Sequence, residues 1–224
     1  MDPLRPLQIT AETLLRAYQW GLFPMGEDRN DPTIYWVDPE IRGVLSFDRF
    51  HVSRSLRKHV KRCGLELRVD SAFGEVIDAC AGSGPGRDTT WINRTIESLY
   101  VDLFDIGHAH SVECWRDDRL VGGLYGVSIG GAFFGESMFS LETDASKVAM
   151  VHLVARLRAG GFRLLDTQFV TDHLARFGAV DIPRQDYLRL LADALKAPSD
   201  FHSLATDSSP DSWLSIAISS SPSS

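Results

Sequence analysis

Residues 110–170 constrain the fold more than any other stretch. Three alternating strands, at 110–116, 120–129 and 132–139, are separated by Asp117-Asp118 and by Gly130-Gly131. Such dipeptides supply the backbone freedom that tight hairpins need. A helix follows over 145–159. Val148, Val151 and Val154 give it a buried face, and Gly160-Gly161 stops it. Residues 162–170 then read as a fourth strand. A strand–helix–strand crossover returns the last strand parallel to its partner with right-handed sense. The fold class is therefore α/β (α+β), with a mixed, mostly antiparallel sheet.

The flanking segments fill in the rest. Thr10 caps a helix over 9–20, with Glu12 in its first turn and Leu14, Leu15 and Tyr18 on one face. Phe23-Pro24-Met25-Gly26 is rich in turn formers, 35–39 is extended, and 43–47 is a short strand. Ser53 caps a helix over 52–62, a strand spans 65–69, and helices cover 73–80 and 95–106. Residues 82–87 form a flexible glycine loop, and short helices lie near 173–177 and 184–195. Three domains are expected: a small N-terminal unit at 1–50, a larger domain at 51–197, and a disordered Ser/Pro/Asp-rich tail at 198–224.

With 23 Lys and Arg against 30 Asp and Glu, the chain carries a net charge of −7. That excludes a protein that coats nucleic acid by bulk charge, but not a local basic patch. Arg54, Arg57, Lys58, Lys61 and Arg62 recur at spacings of three and four, with no acidic residue between 51 and 65. The cluster is either a solvated helix face or a phosphate-binding surface. Trp36 and Trp91 are either core residues or flat platforms for a base. Cys63, Cys80 and Cys114 are too scattered for a zinc site or a disulfide framework. Met1-Asp2-Pro3-Leu4-Arg5 is no secretory leader, and the uncharged run 120–135 is too short to span a bilayer. A soluble cytoplasmic protein is expected.

Polar residues inside apolar strands mark candidate chemistry. Asp166 and Gln168 stand two apart and share one face of an otherwise apolar strand. They are a buried hydrogen-bonded pair, or an anion orienting an amide that holds a substrate. Glu136 interrupts another apolar strand and needs either a partner or a task. In one cleft the three would suit an amine or ammonium. Gly135-Glu136-Ser137-Met138-Phe139 is no esterase elbow, and the 82–87 loop lacks a Gly-Lys-Ser/Thr ending. His108 and His110 share a strand face, but no third ligand is evident, so no metal is expected. Meander, helix and parallel strand also follow the order of GNAT-type acetyltransferases. Residues 140–145 carry two carboxylates and no glycine where coenzyme A pyrophosphate would sit. Acids at a helix start repel that anion.

The chain resembles the leucyl/phenylalanyl-tRNA–protein transferases. The words that carry the likeness are Gly21-Leu22-Phe23-Pro24-Met25, Trp36 with Pro39 and Arg42, His51-Val52-Ser53-Arg54-Ser55 and Thr90-Trp91-Ile92. They continue with Gly107-His108-Ala109-His110-Ser111-Val112-Glu113, Gly122-Gly123-Leu124-Tyr125-Gly126 and Phe134-Gly135-Glu136-Ser137-Met138-Phe139-Ser140. Ala145-Ser146-Lys147, Leu165-Asp166-Thr167-Gln168 and His173-Leu174 through Phe177-Gly178-Ala179 complete the set. The resemblance implies a GNAT-like domain that moves Leu or Phe from aminoacyl-tRNA to the N-terminal Arg or Lys of a protein, marking it for degradation. It implies no cofactor; with no apolar span and no strong dimer helix in the sequence, no membrane partner and a monomer are expected. It assigns Asp166 and Gln168 to the attacking amine and Glu136 to the transferred residue's amino group. By position the aminoacyl pocket would take Leu124, Phe133, Met138, Met150, Leu153 and Leu165. Trp36 and Trp91 would stack near the 3′-terminal adenosine. Arg54, Arg57, Lys58, Lys61 and Arg62 would meet the tRNA acceptor stem.

Overall fold

A computed structural model describes residues 9–82, 89–205 and 208–219. Most of the glycine loop expected at 82–87 lies outside the described residues, as do 206–207 and 220–224 of the expected tail.

Helix α1 (Ala11–Gln19) leads into a two-stranded antiparallel ribbon, β1 (Phe23–Met25) with β2 (Tyr35–Val37). The main sheet has seven strands. In chain order they are β3 (Ile41–Leu45), β4 (Glu66–Val69), β5 (Ala109–Arg116), β6 (Arg119–Ile129), β7 (Ala132–Ser140), β8 (Leu164–Gln168) and β9 (Ala179–Pro183). Their spatial order is β4-β5-β6-β7-β8-β3-β9, and every pair is antiparallel except β7 with β8. The intervening helices are α2 (Arg54–Val60), α3 (Phe73–Ala81), α4 (Arg94–Asp105), α5 (Ala145–Ala159), α6 (Asp172–Ala175), α7 (Arg184–Ala194) and α8 (Pro210–Ile218).

The meander and crossover form as expected. Asp117 and Asp118 sit at φ +48° and +57°, the left-handed pair that a two-residue hairpin requires. Neighbouring strand residues enter opposite cores. Phe133 and Leu165 pack with α2, α5 and α8, while Phe134 and Leu164 pack with α1, α3, α4 and α7. The sheet is thus the middle of three layers.

Several expectations are corrected. Residues 179–183, given no strand from sequence, form edge strand β9 against β3. Residues 41–45, near the end of the expected N-terminal unit, lie between β8 and β9 in the large sheet. The C-terminal segment is not a featureless tail over its described residues. Ser209 caps α8 by accepting the Ser212 N–H at 3.3 Å, with Pro210 in the first turn. Trp213, Leu214 and Ala217, with Phe201 and Leu204 ahead of them, are buried against α5. Composition misled there because five well-spaced apolar side chains anchor an otherwise polar stretch. The same cover leaves α5 buried on nearly every side, His152 and Arg156 included, rather than on one face. Among the described residues no helix is long and apolar enough to cross a membrane.

Candidate active site

Parallel strands β7 and β8 pair only from Ala132 with Leu164 to Phe134 with Asp166, and then part. A cavity of about 660 Å³ opens where they separate, a volume typical of small-ligand sites. Two β-bulges face each other across that opening. On β7 the pairing with β6 runs Tyr125 to Ser137 and then Gly126 to Gly135, so Glu136 is the extra residue. On β8 the pairing with β3 runs Val44 to Asp166 and then Gly43 to Gln168, so Thr167 is the extra residue. Bulges re-aim side chains that regular pleating would send elsewhere.

Asp166 is fully buried and fully engaged. Arg42 Nε donates to its Oδ1 at 3.0 Å and Nη2 to its Oδ2 at 2.7 Å. The Tyr187 hydroxyl donates to Oδ2 at 2.6 Å, and the Gln168 backbone N–H donates to Oδ1 at 2.8 Å. Arg42 is itself 1% exposed; its Nη1 donates to Gly21 O at 2.8 Å, and the Phe23 and Tyr187 rings flank its guanidinium. Burial pulls the Arg42 pKa down, but Asp166 more than offsets this and the net shift is upward. Burial followed by the Asp166 charge raises the Tyr187 phenol, which stays a donor. Asp166 is a fixed anion that grips the backbone of Gln168.

Gln168 has φ +56°, in the left-handed region, which costs a non-glycine residue about 1–2 kcal/mol. The chain passes so close to β3 there that a Cβ on Gly43 would lie 2.7 Å from the Phe169 carbonyl carbon. The Gln168 side chain therefore leaves the strand geometry and crosses toward Glu136, its Nε2 3.4 Å from Oε1. Side-by-side placement of the Asp166 carboxylate and the Gln168 amide, expected from period two, does not occur. The two are linked through the main chain instead.

Glu136 Oε1 accepts from the Tyr18 hydroxyl at 2.6 Å, and Oε2 from the Tyr100 hydroxyl at 2.9 Å. Burial drives its pKa up to about 7, against the pull of the two tyrosine hydroxyls and Arg42; Asp166 pushes the same way as burial. Burial, followed by the Glu136 charge, raises both phenols well above their ordinary value, so they remain donors. Glu136 is thus poised between neutral acid and anion near neutral pH.

The folded-state pKa lies above the ordinary 4.5. Stability that favours the protonated form is therefore full at acid pH and is lost as pH rises toward about 7. Glu136→Gln should become more stable than the parent, relative to their difference at pH 5, by on the order of 3 kcal/mol above pH 8. Urea unfolding of both proteins across that range checks it; a pH-independent difference would mean that Glu136 does not titrate there.

Of the residues expected in the pocket, Leu124, Met138, Met150, Leu153 and Leu165 line the cavity, together with Trp91, Glu136 and Gln168. Phe133 does not: its ring stacks on Phe201 in the core at 5.5 Å between centroids. Trp36 does not either; it lies on the ribbon opposite Pro24, which does line the cavity, with its indole partly exposed. Arg54, Lys58, Lys61 and Arg62 are exposed on and just beyond α2, outside the cavity. Arg57 donates to Val52 O at 2.8 Å, and Lys61 is ion-paired with Asp211 of α8.

Tyr18, Arg42, Tyr100 and Tyr187 went unrecognised as site residues, although Arg42 belonged to a noted word. On the cavity wall, Thr167 Oγ1 and His173 Nε2 are buried with no hydrogen-bond partner among the described residues. No pattern in the sequence distinguishes these side chains from ordinary core or cap residues.

The family models and the curated relatives agree on one family. The leucyl/phenylalanyl-tRNA protein transferase model matches residues 44–192, and that family's N-terminal domain model matches residues 8–40. A leucyl/phenylalanyl-tRNA–protein transferase of Phenylobacterium zucineum is 59% identical over 197 residues, covering 88% of this chain and 89% of that protein. One from Rhodospirillum rubrum is 57% identical over 195 residues, covering 87% of this chain and 92% of that protein. Among solved structures, L-PGS from Bacillus licheniformis aligns at TM-score 0.38 and 13% identity, over 75% of this chain and 56% of that one. That likeness is too loose to bear on function. With both family models matched in order and relatives this similar over most of their length, the chain belongs to the leucyl/phenylalanyl-tRNA–protein transferase family.

Proposed function

We propose that the protein transfers leucine or phenylalanine from aminoacyl-tRNA to the N-terminal Arg or Lys of a protein. The observation that carries this is the split sheet. It joins an apolar cavity to one titrating carboxylate, Glu136, and one strained amide, Gln168. The ester of the donor is already activated, so catalysis is chiefly positioning.

In this reaction the acceptor's neutral α-amine attacks the ester carbonyl. A C–N bond forms, the C–O bond to the terminal ribose breaks, and the amine proton ends on the released 3′-hydroxyl. Gln168 holds the amine and is the catalytic residue. Asp166 is a positioning residue that acts through the Gln168 backbone. Glu136, as the anion, receives the ammonium of the residue being transferred. The side chain of that residue enters among Leu124, Met138, Met150, Leu153 and Leu165. Trp91 on the wall and Trp36 beside it would stack the terminal adenosine. The product is a destabilising N-terminus that marks its protein for degradation in the cytoplasm. The enzyme works as a monomer and needs no cofactor.

A transfer assay tests this directly. Labelled leucyl-tRNA is offered with two peptides that differ only in an N-terminal arginine or alanine. Label is expected on the arginine peptide alone. Transfer to neither, with tRNA still bound, would overturn the reaction. The Glu136 assignment adds a pH profile: kcat/KM should rise through about pH 7 as the anion forms, and Glu136→Gln should remove that limb.

The basic helix has a separate test. Arg57 and Lys61 have partners, so the exposed Arg54 and Lys58 are the clean probes. Charge reversal at both should weaken tRNA binding and reduce the slope of log affinity against log salt by about 1–2. An unchanged slope would remove α2 from the tRNA path.

A further inference from the structure

A second polar cluster lies apart from the cavity, where the C-terminal segment crosses β4 and β5. His108 and His110, which share a strand face in the sequence, go separate ways. His108 Nδ1 lies 3.0 Å from Ser128 O. His110 turns its Nδ1 to Asp70 Oδ2 at 2.8 Å, and its Nε2 lies 3.1 Å from Ser128 Oγ. His202, from the C-terminal segment, brings its Nε2 within 3.4 Å of the same Asp70 oxygen. All three ligand atoms lie within 4.8 Å of one another.

We propose that Asp70, His110 and His202 bind a divalent transition-metal ion of the zinc class. Ligands held about 2.1 Å from such an ion sit about 3.0–3.4 Å apart, depending on whether the geometry is octahedral or tetrahedral. The Asp70 oxygen already stands at 2.8 and 3.4 Å from the two nitrogens. Two imidazoles and one carboxylate suit zinc, cobalt or nickel rather than magnesium or calcium. The supporting contacts match what such ligands need. Asp70 Oδ1 accepts the Ser111 N–H at 2.7 Å, which leaves Oδ2 for the ion. Ser128 engages the far nitrogen of His110, and the His110 ring stacks on Phe201 at 4.1 Å. Asp200 accepts the His202 N–H at 2.8 Å and fixes the turn that presents it. The Asp70 and Asp200 charges also act on the nearby buried Arg156 guanidinium, so an ion here would share those carboxylates with one fixed positive charge. His202 is exposed, which leaves a path to solvent for entry and for further water ligands.

None of the three residues lines the cavity. The ion would instead fasten residues 199–205, which lie outside both matched family regions, to the sheet. The test uses the untagged full chain, stripped with a chelator and titrated with Co²⁺ and then Zn²⁺. One equivalent of Co²⁺ should bind with micromolar affinity, give a visible d–d band, and be displaced by Zn²⁺. His202→Ala should weaken binding at least tenfold without changing the metal-free Tm, since the side chain is on the surface. His202→Gln, which retains a polar side chain, should lose binding equally, and His51→Ala should keep it. Zn²⁺ should raise the Tm of the parent and not of either His202 variant. No saturation below about 1 mM, or affinity unchanged in both His202 variants, would overturn the site.

Discussion

Asp166→Asn is expected to lower transfer at least a hundredfold and folding stability by about 3–5 kcal/mol. The stability loss follows from Arg42, which is 1% exposed and would remain as a buried guanidinium without its counter-charge. The Tyr187 hydroxyl and the Gln168 N–H would also face a weaker acceptor. Urea unfolding reads the first effect. Single-turnover transfer with saturating aminoacyl-tRNA, alongside a tRNA-binding isotherm, reads the second. The paired variant Arg42→Met with Asp166→Leu separates the two. Removing both charges together should restore most of the stability, because a buried ion pair replaced by apolar side chains is often neutral. Transfer should stay lost, because nothing then holds the Gln168 backbone. A paired variant that regained transfer with stability would make Asp166 a purely structural anion.

Gln168→Ala and Gln168→Gly should each reduce transfer by roughly 10²–10³-fold with tRNA binding nearly unchanged. Both lack the amide that would hold the attacking amine. They should differ in stability. Alanine keeps a Cβ in the left-handed conformation at φ +56°. Glycine does not, and the relief of about 1–2 kcal/mol outweighs its greater backbone entropy cost of about 0.5–1 kcal/mol. The glycine variant should therefore unfold at a higher temperature than the alanine variant while being equally inactive. Strain that is removable without harm to the fold is strain kept for the reaction. Equal melting temperatures would mean the backbone at 168 relaxes freely, and retained transfer in either variant would exclude the amide.

The meander, α5 and the crossover to β8 were legible because their signals are local. Asp117-Asp118 and Gly130-Gly131 mark the turns, and apolar periodicity marks what lies between them. Glu136, Asp166 and Gln168 stood out because ionisable or amide groups are rare inside apolar strands. The direction of those side chains was not legible. Period two places Asp166 and Gln168 on one face only in an unbroken strand, and the bulges at Glu136 and Thr167 break that rule in both strands of the split. The Ser/Pro/Asp-rich tail was misread for a related reason. Average composition says little when Trp213 and Phe201 find a helix to cover.

The sequence by itself determined the order of elements from the meander through the crossover to β8, and it singled out the three polar residues. Both follow from turn chemistry, periodicity and the cost of burying charge, which act over a few residues. Tertiary structure alone decided which groups those residues meet. Arg42 reaches Asp166 across 124 positions because β3 inserts between β8 and β9. Tyr18 lies 118 positions from Glu136 and Tyr100 lies 36 from it, yet both hydroxyls reach its carboxylate. Such contacts depend on the packing of sheet and helices as a whole, and no short-range pattern encodes them.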